Sequence, residues 1–285
     1  QRQMCIRDSG VMSKAKIFNF LVNAFLMIMA LSMILVFVVL IIGSFKPNSD
    51  LLKIPDGFLN LDFTLDNYKA VFSKLDFLRV TFNSMFLAVI RVVVVLYTSA
   101  IAAYVLEKME FKGKHLLFAA ILSTMMIPWT VTLVPKYQLM SWFKWLNSYN
   151  ALIIPFLFDT FGIFMLKQFL NGIPDYFVEA GRIDGASEFY IFHRLVLPQM
   201  KGGLASLGIL KALDCWNDFM WPYLVLNRPE KFTLPIALKS LSNSYWNDFS
   251  WMLTGITISM IPVVILYLFF KDKLIEGMAF AGTAN

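Results

Sequence analysis

Apolar residues run in long unbroken stretches along this chain, and the polar ones gather between them. Six such stretches can be counted, at about Ile17–Gly43, Thr81–Leu106, Leu116–Val134, Leu152–Phe169, Leu204–Leu226 and Trp251–Phe270. A helix needs about 20 mainly apolar residues to cross a hydrocarbon layer about 30 Å thick. In lipid only helices and closed barrels satisfy their own backbone hydrogen bonds, and no stretch shows the period-two alternation of a barrel strand. The pattern predicts an all-α integral membrane protein, a six-helix bundle forming one transmembrane domain over residues 12–285.

Basic residues in the connections set the expected orientation. Lys14 and Lys16 precede the first stretch, Lys108, Lys112 and Lys114 separate the second from the third, and Lys271 and Lys273 follow the sixth. Those segments are expected in the cytoplasm, with both termini inside. Lys46, Lys53, Lys69, Lys74 and Arg79 lie in the first external loop, where Asp50, Asp56, Asp62, Asp66 and Asp76 match them. The loop from about Asn227 to Ser250 falls outside. The connection from about Leu170 to Gly203 falls inside, and such long connections are either functional or disordered.

Composition agrees: 58% hydrophobic and 15% charged residues leave little room for a separate soluble domain. The net charge of +6 is scattered in short runs rather than gathered in one block, which argues against nucleic acid as a partner. Cys5 and Cys215 have no metal or disulfide spacing, and His115 and His193 have no partner at metal-ligand spacing. Residues 1–11 match no element that follows, so Met12 is the expected start and the preceding segment is read as a non-native leader.

From Pro174 to Pro198 the chain reads PDYFVEAGRIDGASEFYIFHRLVLP. Asp175 is an expected N-cap, Tyr176 to Asp184 a short helix, Gly185 a left-handed terminator, and Ser187 the cap of a second helix that Pro198 interrupts. Small residues Ala180, Gly181, Gly185 and Ala186 stand beside the charges Glu179, Arg182 and Asp184, a surface that lets a partner's backbone approach while the charges orient it.

This segment resembles the EAA signature of ABC-importer permeases: glutamate and two small residues, glycine after three more positions, and a closing leucine–proline pair. Glu179, Ala180, Gly181, Gly185, Leu197 and Pro198 match, with Gly181 standing where the family usually has alanine. The stretch Arg182-Ile183-Asp184-Gly185-Ala186 is similar to the carbohydrate-uptake branch, in particular the second permease of maltose-type systems. Asn83-Ser84, Ile127-Pro128, Val134-Pro135, Trp216-Asn217-Asp218-Phe219, Trp221-Pro222 and Thr233-Leu234-Pro235 extend the resemblance along the chain.

The resemblance implies a permease of a prokaryotic cell membrane that imports a sugar or related polyol. Its implied partners are a second homologous permease, two ATPase subunits, an extracytoplasmic solute-binding protein and membrane lipid. Glu179, Ala180, Gly181, Asp184, Gly185, Ala186 and Pro198 would couple it to the ATPase. No GxxxxGK[ST] phosphate loop occurs, so ATP and magnesium are expected on the partner, with no cofactor on this chain and no catalysis by it.

Charges also fall inside the apolar stretches: Arg91 in the second, and Lys211, Asp214 and Asp218 beside Asn217 in the fifth. At 100° per residue the last three charges share one helix face. Intramembrane charges cost about 2.5–3.5 kcal/mol each, so they should face a partner or water. Two readings stand: an ion-pair network pinning helices, with Arg91 paired to Asp214 or Asp159, or a lining of the solute pathway. For Trp216, Trp221 and Tyr223, helix packing is preferred to sugar stacking. A proton-coupled carrier would leave the Pro174–Pro198 segment unexplained, and a membrane enzyme would need a nucleophile–base or metal constellation.

Overall fold

The computed structural model describes residues 2–51, 53, 56–241 and 249–282, and all its regular structure is helical. In chain order the helices are α1 (Arg2–Ser44), α2 (Asn48–Leu51), α3 (Asp56–Leu59), α4 (Asp66–Lys74), α5 (Phe77–Lys108), α6 (Lys114–Met125), α7 (Trp129–Trp142), α8 (Asn150–Ile153), α9 (Thr160–Asn171), α10 (Tyr176–Ile183), α11 (Glu188–Tyr190), α12 (Lys201–Trp216), α13 (Met220–Val225), α14 (Leu234–Leu241) and α15 (Phe249–Gly282). The side chains of Cys5, Lys14, Lys271 and Lys273 lie outside the described set, as do residues 242–248 of the expected external loop.

The chain divides into two units, Gln1–Ser73 with Leu241–Ile258, and Lys74–Ser240 with Ser259–Asn285. In the first, the end of α1 is closed by side chains. A helix leaves its last four carbonyls without partners. Here Asn67 donates to the carbonyls of Ser44 and Lys46 at 3.0 and 2.8 Å, and Thr254 donates to Ser44 at 3.0 Å. The buried Lys46 ammonium in turn donates to the Asn60 carbonyl.

In the second unit α5 packs along α9 and α12. Ala100, Ala103 and Tyr104 of α5, Leu166 and Leu170 of α9 and Leu207 of α12 form one core with Val178, Ile191, Phe192 and Val196. The approach of α5 to α9 is close enough that a Cβ at Gly162 would lie 2.7 Å from Ser99 Oγ. A second core gathers Leu87, Met140, Ala151, Leu152, Trp221, Val225 and Ile236. Two motifs far apart in sequence form one lock there: Asn83 donates to the carbonyls of Glu230 and Phe232 at 3.1 and 3.0 Å, and Ser84 Oγ accepts the Leu234 amide at 2.7 Å.

Among the described residues three helices are long and apolar enough to cross a membrane, Lys16–Ser44, Phe77–Lys108 and Phe249–Phe269, or up to five if each bent pair is one span. The third expected stretch, Leu116–Val134, is bent by 96° between α6 and α7. Pro128 stands at that break as the N-cap of α7, with an extended ψ of 131°; it has no amide to continue the ladder of α6 and disfavours a helical conformation in the residue before it. The fourth is bent by 40° between Asn150–Phe156 and α9. The fifth, Leu204–Leu226, is likewise two helices, α12 and α13, separated at Asn217-Asp218-Phe219.

Candidate functional site

Two places collect the residues singled out from sequence. The first is the segment 174–198, which folds as a helix–turn–helix. Its turn is a complete Schellman closure: the Ala186 amide donates to the Gly181 carbonyl and the Gly185 amide to Arg182, at 3.0 and 3.1 Å. Gly185 takes φ +73°, and among the described residues, its two chain neighbours aside, nothing stands within 4 Å of where its Cβ would be. Ser187 Oγ accepts the Tyr190 amide at 3.3 Å, as an N-cap should. After α11 the helix widens into a π-helical turn at Ile191–Val196, and Pro198 sits in the turn leading into α12.

The segment has an inner and an outer face. Val178 and Gly181 are buried, and a Cβ on Gly181 would lie 2.9 Å from Ile191 and 3.0 Å from Leu195. Small size at this position is therefore set by packing between the two helices. Glu179, Ala180, Ile183, Asp184 and Gly185 are exposed, Ile183 at 86%.

Asp175 corrects the sequence reading. Its backbone is helical, with φ −71° and ψ −19°, and its side chain caps nothing. Instead it takes the Lys108 ammonium at 2.6 Å, and that hydrogen bond and charge hold its carboxyl below the ordinary value of 3.8. Lys108 also donates to the Ile173 carbonyl at 2.5 Å. Glu188 accepts from Arg182 at 2.7 Å and from Tyr104 at 2.5 Å, and these two bonds lower its pKa from 4.5. Arg182 is raised in turn, chiefly by its bond to Glu188. The roles of Lys108 and Tyr104 escaped the sequence reading; Lys108 was legible only as an orientation signal.

The second place is a cavity of about 710 Å³ lined by all five intramembrane candidates, Arg91, Lys211, Asp214, Asn217 and Asp218. Trp129, Lys136, Phe156 and Asp159 complete much of its wall. Asp218 belongs to the break after α12, not to the helix face shared by Lys211 and Asp214. The pairing also differs from expectation. Arg91 donates to Asp218 at 2.9 Å, and its guanidinium lies 3.8 Å from the centroid of the Phe156 ring. Lys211 reaches Asp159 at 2.8 Å and Asp214 at 3.3 Å. Asp159 can take that ammonium because it is fixed as the N-cap of α9, accepting the Gly162 amide at 2.5 Å. Trp221 is buried, its indole donating to the Ala151 carbonyl at 2.8 Å, which supports the packing role.

The family described as "Binding-protein-dependent transport system inner membrane component" matches residues 96–279, a range holding the whole helix–turn–helix and most of the cavity wall. The chain belongs to this family. The permease is 33% identical over 272 residues to the arabinooligosaccharides transport system permease protein of Bacillus subtilis (strain 168), covering 93% of this chain and 96% of that protein. It is 26% identical over 272 residues to a probable starch degradation products transport system permease protein of Thermoanaerobacterium thermosulfurigenes, covering 94% and 97% of the two chains. In fold the permease is similar to the crystal structure of a bacterial ABC transporter involved in the import of the acidic polysaccharide alginate. The TM-score is 0.80 at 24% identity, over 90% of this chain and 96% of that one.

Proposed function

We propose that the permease forms one half of a membrane pathway for a sugar or related polyol, and that a separate ATPase drives it through the segment 174–198. A second permease would supply the other half, and an extracytoplasmic binding protein would deliver the solute. ATP and magnesium would be held by the ATPase. The two curated relatives named above carry the words arabinooligosaccharides and starch degradation products, which supports a saccharide cargo. Both termini and the segment 174–198 would face the cytoplasm.

One observation carries the reading. The helix–turn–helix buries Val178, Gly181, Ile191 and Phe192 and turns Glu179, Ala180, Ile183, Asp184 and Gly185 outward, with open space above Gly185. Ile183 offers an exposed apolar contact and Glu179 and Asp184 polar groups around it, the apolar-centre, polar-rim arrangement of a protein interface. The geometry is also rigid, since the Schellman bonds and the Ser187 cap fix both helices. A rigid contact can transmit a displacement, whereas a flexible one would absorb it.

The cavity fits a pathway for a polar, uncharged solute. Its aspartates are all met by cations, so acceptors and donors line the wall without a large unbalanced field on the acidic side. Alternating access would expose it to either side in turn.

Gly185→Val tests the reading. A β-branched residue at φ +73° is strained whatever the space around it. The variant should reach the membrane at a normal level yet lose radiolabelled arabinotriose or maltotriose uptake, and lose binding-protein-stimulated ATP hydrolysis in reconstituted vesicles. Normal uptake with the ATPase still bound would remove the segment from its proposed role.

A further inference from the structure

Packing is only part of what holds the helix–turn–helix to the bundle. Lys108, the last residue of α5, has a side chain only 3% exposed, and its ammonium binds Asp175 at 2.6 Å and the Ile173 carbonyl at 2.5 Å. One turn earlier Tyr104 donates to Glu188 at 2.5 Å. Arg182 ties the two together, donating to Glu188 at 2.7 Å and to the Lys108 carbonyl at 3.0 Å. These bonds grip both helices of the segment, the first near Asp175 and Arg182 and the second at Glu188.

From this grip α5 runs back as a single helix containing neither proline nor glycine. Sharp kinks nearly always need one of those residues or an inserted bulge, so α5 behaves as a rod. Arg91, which closes on Asp218 in the cavity, lies 17 residues before Lys108, or about 25 Å along the axis at 1.5 Å per residue. The covalent route from the segment to the cavity is less direct. It passes the π-helical turn Ile191–Val196 and the turn holding Pro198 before α12 brings Lys211 to the wall.

Resting on the role proposed above for the segment, we propose that Lys108, supported by Tyr104 and Glu188, is the positioning residue that makes α5 the shaft from the helix–turn–helix to the Arg91–Asp218 pair. Lys108 touches neither solute nor nucleotide; it acts through Asp175 and the Ile173 carbonyl. When the ATPase displaces the segment, α5 moves with it and carries Arg91 against Asp218. Without the grip, the segment moves and the cavity does not.

The test uses the assembled transporter in lipid nanodiscs, with one cysteine introduced by Leu133→Cys on the cavity wall and the native thiols removed by Cys5→Ser and Cys215→Ala. Fluorescein maleimide is the probe, and ATP with EDTA closes the ATPases without hydrolysis. The expected parent behaviour is a labelling rate that changes when ATP is added. Lys108→Met should lose that change while the ATPase subunits stay bound, and Lys108→Arg, which can reach both acceptors, should restore it. A residue that only stabilises the fold would alter the yield and leave the ATP response in place. Tyr104→Phe, which removes one hydroxyl from a buried ring, is the milder second variant and should weaken the response. A response as large as the parent's in Lys108→Met would overturn the proposal and route the motion through the chain into α12, whatever Tyr104→Phe shows. Gly185→Val in the same background separates the two readings. A normal response in Gly185→Val would sink the role of the segment itself. A response lost in Gly185→Val but kept in Lys108→Met would sink only the shaft.

Discussion

Arg91 and Asp218 join α5 to the break between α12 and α13, with 2.9 Å between nitrogen and oxygen and side chains only 12% and 18% exposed. The Phe156 ring lies against the guanidinium, 3.8 Å from its carbon to the ring centroid. A carboxylate removed from such a place leaves a largely covered cation without its partner.

Asp218→Leu is therefore expected to cost about 3–5 kcal/mol, the range for breaking one side of a buried pair. Asp214→Leu should cost about 0–1 kcal/mol, since Asp214 is 67% exposed and Lys211 keeps Asp159. This order reverses what pairing Arg91 with Asp214 would give. Arg91→Met combined with Asp218→Leu should recover much of the loss. Thermal unfolding of the purified complex, followed by tryptophan fluorescence, reads all three; equal midpoints for the two single variants would show that the Arg91 pair pins nothing.

Gly162→Ala should destabilise by about 1–3 kcal/mol, because overpacking at a close helix contact forces neighbours to shift. The added methyl would meet Ser99 Oγ at 2.7 Å and Asp159 Oδ1 at 3.0 Å. Pairing the change with Ser99→Ala should relieve part of it. Unchanged melting of Gly162→Ala would mean that α5 and α9 separate more easily than their packing implies.

Acid should loosen the helix–turn–helix before it unfolds the bundle. The carboxyls of Asp175 and Glu188 are both depressed in the folded protein, Asp175 by Lys108 and Glu188 by the hydrogen bonds from Arg182 and Tyr104. Their contribution is therefore complete above the ordinary carboxylate values of 3.8 and 4.5, and is lost as pH falls through the lower folded values. Hydrogen exchange of the 174–198 amides between pH 6 and pH 3, corrected for intrinsic rates, should show falling protection in the parent. Glu188→Gln should start less protected and respond less. A parallel response in the two would mean that Glu188 contributes nothing to the pH dependence.

Orientation can be read with two single cysteines in a chain lacking Cys5 and Cys215. An impermeant thiol reagent applied to intact cells should label Ser242→Cys and spare Lys112→Cys. The reverse pattern would invert the topology derived from the lysine distribution.

By itself the sequence determined the solvent and the segment to watch. Long apolar runs leave the backbone no choice but the helix, and residues that turn a chain locally, such as Ser187 and Gly185, act through neighbours one to four positions away, so the helix–turn–helix was legible. Only the tertiary structure decided where continuous apolar runs break. Pro128 was visible, but a proline can end, kink or sit within a helix according to what packs beside it. The same holds for charge partners. Periodicity placed Lys211, Asp214 and Asp218 on one face, although Asp218 lies past the end of α12, and the pairing considered for Arg91 was Asp214 or Asp159. The choice of Asp218 for Arg91, Asp159 for Lys211 and Lys108 for Asp175 depends on how three helices cross, across separations of 127, 52 and 67 residues. Coulomb attraction acts through space, and a sequence records order along the chain rather than distance across it.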